Sequence, residues 1–311
     1  MPTSPSALNE PPVPYCALLT DDAEVILGYA TDGADHEAGA ALVTLVEIRG
    51  GAARALGAQM AVRGDGGYCG YVSGGCTEAA VAAEAIEAIR IGTDRFLRLG
   101  EGSRFFDISL PCGGGITVAI HVIKDAEPLR HILSLLGSRK RIALSYDPGK
   151  QSIATISKPQ PRGAVWEETA FVRPYKPTLQ LVLFGRGIEL ATTLRVSRAC
   201  GFKVRAFEDP RNTFRADDID QDTAIALLFH DLDLELPVLT RALKTAPFYI
   251  GALGSRRTHD KRCEALWALG FAKAETDRIK APIGMFGPAR NANTLALSVV
   301  ADIAAVYSAA L

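Results

Sequence analysis

Apolar positions follow two different spacings along this chain, and the switch from one to the other marks out its elements. Residues 41–48, ALVTLVEI, form a short apolar run of strand type. In AQMAVRGDGGYCGYV, alternating segments flank the turn Gly64-Asp65-Gly66-Gly67, which is the pattern of a β-hairpin. After Gly74-Gly75 the period becomes helical: Val81, Ala85, Ile86 and Ile89 fall on one face, and Glu84, Glu87 and Arg90 on another. RFLRL and GITVAIHVI predict further strands, EPLRHILSLLGSRK a helix and RIALSY a strand.

From residue 147 to 177 the texture loosens into Pro-rich polar sequence, which reads as a linker or crossing segment. Beyond it strands and helices alternate. LQLVLF leads through GRG into the helix IELATTLRVSRAC, which stops at Gly201. KVRAFE and TAIALLF are strands, ELPVLTRALKTA a helix, FYIGAL a strand, and THDKRCEALWALG a helix. This βαβ rhythm predicts a parallel sheet with helices on both faces. The last helix, NANTLALSVVADIAAVYSAAL, takes Asn291 or Asn293 as its N-cap. Its apolar face packs on the Rossmann-like core or on a second copy. The predicted fold class is α/β: a loose lead-in over 1–15, a mixed α/β domain over 16–146, the linker, and a Rossmann-like domain over 178–311.

Composition narrows the picture little. The 311 residues suit two domains, and 48% hydrophobic with 22% charged residues and a net charge of −1 describe a globular protein. That charge balance gives no electrostatic case for nucleic acid or an anionic membrane, and no run of eighteen uncharged apolar residues predicts a spanning helix. The six cysteines are scattered without CxxC spacing, and no basic, apolar export leader precedes them. They are expected as free thiols in the cytoplasm, without a structural zinc site.

Four places carry candidate chemistry. In LVLFGRGIELATTL, Gly185 and Gly187 sit between strand and helix, where backbone N–H groups can face a phosphate. The third position of G-x-G-x-x-G is Leu190, so that fingerprint is incomplete, but Asp209 ends the next strand 24 residues after Gly185, where an acid bonds a ribose hydroxyl. Gly254, Ser255 and Arg256 repeat the geometry in YIGALGSRRTHDKR. Arginines at a helix N-terminus oppose its dipole, so Arg256 and Arg257 either serve a bound anion or pair with Asp260 and Glu264. His230 and Asp231 end the third strand, near the crevice where open α/β sheets bind ligands; Asp231 serves equally well as a helix cap. Cys76, after Gly74 and Gly75, stands at a helix N-terminus, where free N–H groups lower a thiol pKa; Glu78 in the first turn opposes that and is a candidate cofactor contact beside them. Cys112, followed by Gly113, repeats the cysteine–glycine context. The alternative for both thiols is a small buried hydrophobe at a tight turn. Cys16, Cys69, Cys200 and Cys263 read as packing or surface residues.

Seven segments in order resemble the XdhC/CoxI family: GGAARALGAQMAV, GGYCGYVSGGCTEAAV, PCGGGITVAI, LVLFGRGIELATTL, LFHDLDLELPVL, YIGALGSRRTHDKR and PIGMF. The chain departs from the family at Gly51 and Ala53, where Ser and Pro are common, and at Ile188, where a histidine is common. The resemblance implies a protein that binds the molybdenum cofactor, as molybdopterin or its dinucleotide form, and assists its sulfuration with a cysteine desulfurase. It further implies delivery to an apo xanthine dehydrogenase-type hydroxylase, and a homodimer. The glycine and Ser-Arg turns then hold the phosphate end of the cofactor, and a thiolate from Cys76 or Cys112 approaches the metal, thiolate being a soft ligand. The rival reading is an NAD(P)-dependent oxidoreductase in which Asp209 favours NAD, since an acid there repels a 2′-phosphate.

Overall fold

The computed structural model describes residues 12–75, 77–100, 114–157, 161–210 and 214–309. The chain divides into two compact units, Met1–Lys176 and Pro177–Leu311.

The first unit opens with β1 (Tyr15–Leu18), α1 (Ala23–Ala34), β2 (Ala40–Arg49), β3 (Gln59–Arg63) and β4 (Gly67–Gly70). It continues with α2 (Glu78–Ile91), β5 (Arg95–Gly100), β6 (Gly115–Val122) and α3 (Glu127–Gly137). The sheet order is β1-β4-β3-β2-β6-β5, with β1 parallel to β4 and the other pairs antiparallel. Strand β2 is apolar over most of its first seven residues because both of its faces are covered there. Ala41, Val43 and Leu45 meet Val81, Ala85 and Ile86 of α2, while Ala40 and Leu42 meet Leu27 of α1 and Ile132 of α3. Helix α1 starts where the Asp22 side chain accepts the Glu24 N–H at 2.8 Å, and α2 ends on Gly92 at φ 75°. The lead-in expected over 1–15 falls mostly outside the described residues, and Tyr15 already pairs with Gly67 in β1.

The linker expected over 147–177 is corrected by the structure. That stretch completes a second, antiparallel sheet of the first unit, ordered β8-β7-β10-β9. Its strands are β7 (Ile142–Asp147), β8 (Ser152–Ile156), β9 (Val165–Glu167) and β10 (Ala170–Tyr175). Proline fits in β10 because β9 covers only Ala170 to Val172, leaving that flank of Pro174 outside the ladder. Phe171, Val172 and Tyr175 are buried, and Tyr175 donates to Gln59 Oε1 of β3 at 2.8 Å.

The second unit runs β11 (Gln180–Gly185), α4 (Gly187–Ala199), β12 (Lys203–Phe207), β13 (Thr223–Leu228), α5 (Leu232–Ala242) and β14 (Tyr249–Ala252). It ends with α6 (Arg256–Ala268), α7 (Lys273–Thr276), β15 (Ile279–Lys280) and α8 (Ala292–Ala309). All strands are parallel in the order β12-β11-β13-β14-β15, so their carboxyl ends share one edge. Leu181, Leu183 and Ala226 pack under α4 and α8, while Val182, Ile225 and Ile250 pack under α5 and α6. Asn291 caps α8, its side chain accepting from Thr294 N–H at 2.9 Å. By length and composition α8 is apolar enough to cross a membrane, but Leu295, Val299 and Ile303 are buried in the core of this unit.

Candidate functional site

In the first unit the cysteine-bearing turn is built around Glu78. This carboxylate is 3% exposed and folds back under the loop before α2. Its Oε1 accepts from Val72 N–H at 3.2 Å, Ser73 N–H at 2.8 Å and the Ser73 hydroxyl at 2.8 Å. Its Oε2 accepts from the Ser73 hydroxyl at 2.9 Å and from Thr77 N–H at 3.1 Å. The reading of Glu78 as a ligand-facing residue is therefore corrected, because both of its oxygens are taken by its own loop. Gly74 and Gly75 continue that loop; an added Cβ on Gly74 would sit 3.4 Å from Cβ of Ala53. Beside them Arg54 lies over the Tyr71 ring, 4.3 Å from its centroid, and its Nη1 donates to the Tyr71 hydroxyl at 3.2 Å. Gly114 packs so closely that an added Cβ would meet the Gly51 carbonyl oxygen at 2.3 Å. Segments 50–54 and 71–75 and the residue just before β6 thus come together.

Cys76, Cys112 and Gly113 lie outside the described residues. Burial pushes the Cys69 thiol up to about 11 and raises that of Cys263, so neither is primed as a thiolate; Cys16 and Cys200 are exposed. Among the described residues no group of three or more His, Cys, Asp or Glu is placed to hold a metal ion.

In the second unit the predicted residues are spread along the carboxyl edge of the parallel sheet. The order reverses between β11 and β13, the switch point where such sheets bind ligands. Gly185 ends β11 and Gly187 opens α4, whose first turn carries Glu189. Glu189 Oε2 lies 3.0 Å from Nε2 of His230, just past β13, so this pair bridges the switch point. The α4 N-terminus thus already has a carboxylate in its first turn. Asp209 lies half-buried just past β12. Asp231 turns out to be the cap of α5, accepting the Asp233 N–H at 2.9 Å.

One place further along the sheet, a cleft of about 580 Å3 opens at the end of β14. His230, Gly254 and Ser255 line one side of it, and residues 282–289 the other; Gly185, Gly187, Asp209 and Asp231 do not line it. Ser255 caps α6 by accepting the Thr258 N–H at 3.2 Å, and no acid stands in that first turn. Arg256 and Arg257 are exposed there, and among the described residues neither forms an ion pair, with Asp260, Glu264 or any other acid. The turn rests on a group that sequence reasoning missed. Arg262, fully buried, donates from Nη2 to the Leu253 carbonyl at 2.8 Å and from Nε to Glu235 Oε2 at 2.7 Å. The 282–289 loop was missed as well. Only its match to a family segment pointed to it, since it carries no titratable side chain.

The fold and this edge define a two-unit protein whose second unit is Rossmann-like. The family model described as the XdhC Rossmann domain matches residues 181–303, and the one described as the XdhC and CoxI family matches residues 34–100. An Escherichia coli K12 relative, molybdenum cofactor insertion chaperone PaoD, is 49% identical over 293 residues, which are 94% of this chain and 91% of PaoD. A second relative from that organism, the uncharacterized protein YqeB, is 27% identical over 271 residues, covering 85% of this chain and 42% of YqeB. A crystal structure described as a xanthine dehydrogenase from Bacillus halodurans matches with a TM-score of 0.71 and 18% identity. That match covers 91% of this chain and 96% of the other, and at such identity it concerns the fold. The chain belongs to the XdhC/CoxI family.

Proposed function

We propose that this chain carries the molybdenum cofactor as cargo and delivers it to a xanthine dehydrogenase-like hydroxylase. The observation that carries this reading is the identity of 49% with molybdenum cofactor insertion chaperone PaoD along nearly the whole of both chains. The chemistry of the second unit supports it. A phosphate-bearing ligand suits an acid-free helix N-terminus with a serine cap and two arginines, unpaired among the described residues, beside a cleft. A thiolate from Cys76 or Cys112, each beside glycines in the sequence, is the candidate contact to molybdenum. A cysteine desulfurase supplies sulfur to the held cofactor, and the protein works in the cytoplasm as a homodimer.

The test is to purify the protein from a strain that makes the cofactor and to assay bound molybdenum and phosphorus. Stoichiometric molybdenum with accompanying phosphorus is expected, and a Cys76→Ala, Cys112→Ala double variant retains far less metal. Protein that comes away free of both elements contradicts the reading. Retention at the wild-type level in the double variant contradicts thiol ligation alone. Submicromolar affinity for NADH without pterin binding, in parallel calorimetry, replaces the reading with an NAD(P)-dependent oxidoreductase.

A further inference from the structure

The loop that walls the cleft holds two large apolar side chains out of the core in a fixed position. Met285 and Phe286 are 52% and 48% exposed, yet the backbone that carries them is tied down on both sides. Ile283 N–H donates to the Ala252 carbonyl at 3.0 Å and Met285 N–H to the Ser298 carbonyl at 3.1 Å. The buried Ser298 hydroxyl accepts the Phe286 N–H at 3.0 Å and donates to the Phe286 carbonyl at 2.6 Å. Gly284 is required there: its φ is 111°, and an added Cβ would stand 2.5 Å from the Ser298 hydroxyl oxygen.

A pinned loop that presents a thioether and a phenyl ring into a cleft is a preorganised stacking surface. Leu253, Ile283 and Leu295 extend the apolar lining, while Ser255 and His230 supply its polar edge. The volume of about 580 Å3 falls in the range of roughly 300–1,000 Å3 typical of small-ligand sites. Arg256 follows the lining residue Ser255 and the exposed Arg290 follows the lining residue Ala289; among the described residues neither arginine is ion-paired. The lining is mostly apolar, with arginines following Ser255 and Ala289.

We propose that this cleft takes a flat heteroaromatic ring that carries a phosphate, with the ring against Phe286 and Met285 and the phosphate at Ser255 and Arg256. The proposal rests on the cofactor reading and adds which end of a ligand meets which wall. Two sources share the chemistry, a nucleoside phosphate and a phosphorylated pterin.

Calorimetry on the full chain with AMP, hydroxymethylpterin phosphate and ribose phosphate separates them. The ring-bearing ligand from the true source is expected to bind at least about tenfold more tightly than ribose phosphate, the scale of one base–aromatic stack. Phe286→Ala erases that advantage, Phe286→Trp restores it, and ribose phosphate binds all three proteins alike. Equal binding of all three ligands overturns the proposal, as does an advantage indifferent to Phe286→Ala. Phe286→Ala weakening only the association with an apo-molybdoenzyme also overturns it, and assigns the wall to protein docking. Bound molybdenum in wild-type protein together with ring-indifferent binding refutes this inference and leaves the cofactor reading standing. Ring binding through Phe286 in a protein that never carries molybdenum does the reverse.

Discussion

Each unit places a glycine-containing turn at the N-terminus of a long helix, and the two turns are finished in opposite ways. Before α2, Glu78 turns inward and takes the N–H groups of Val72, Ser73 and Thr77, so the turn supplies its own anion. Before α6, Ser255 takes the Thr258 N–H, no acid enters the first turn, and Arg256 and Arg257 stay unpaired among the described residues. In the first turn Glu78 already occupies the N–H groups an anion would use. The second turn has no such acid and sits on a cleft. Similar punctuation in a sequence therefore gives two differently finished turns, and the side chain at the helix N-terminus makes the difference.

The comparison can be tested by breaking each turn. Arg262→Met leaves the Glu235 carboxylate buried without its partner and frees the Leu253 carbonyl, so the second turn loses its support. A loss of about 3–5 kcal/mol in urea denaturation is expected for such a broken buried pair. Glu78→Ala strands the donors of Val72, Ser73 and Thr77, with an expected loss of about 2–3 kcal/mol, and Glu78→Gln loses less because its amide oxygen still accepts. Asp94 shows that internal use of acids in the first unit extends beyond Glu78. Burial pushes its carboxyl up, but the His121 ring at 2.8 Å, Val122 N–H at 2.9 Å and the Tyr146 hydroxyl at 3.0 Å outweigh that and hold it below the usual carboxylate range. Its stabilisation is thus present above the unfolded carboxylate pKa of about 4 and lost as the pH falls through the lower folded value. Thermal melts of Asp94→Asn, taken over roughly pH 3–6, are expected to show a flatter acid limb than wild type. The smallest effect on stability belongs to Arg256→Ala with Arg257→Ala, within about 0.5 kcal/mol, because among the described residues no ion pair is broken.

Much of this was legible in the chain. Short apolar runs gave away strands such as β2 and β13, helical periodicity located α2, and the alternation of strand and helix located α4. Ser255 was recognisable as a cap because Ser before a helical pattern leaves few other uses. Strands β8 to β10 were not legible, being short and lying in sequence interrupted by Pro148, Gly149, Pro159, Pro161 and Gly163. Their signal was the Phe171–Val172–Tyr175 burial pattern, which is too brief to outweigh linker-like composition. Helix α1 could have been found from Asp22 followed by Ile26, Leu27 and Ala30. The roles of Glu78 and Arg262 were hidden for a different reason: a charged residue on a helix reads as solvated until tertiary packing buries it. Likewise, nothing local announces that Ser298 on α8 fixes Phe286, twelve residues earlier.

The most direct test of the account is calorimetry of pyrophosphate binding to three full-length proteins: wild type, the Arg256→Ala, Arg257→Ala variant and Glu78→Gln. Affinity is predicted to fall about tenfold or more in the arginine variant, as for loss of charge-assisted phosphate contacts, and to stay at the wild-type value in Glu78→Gln. An arginine variant that binds as tightly as wild type, with the loss appearing in Glu78→Gln instead, would contradict the division of labour between the two turns.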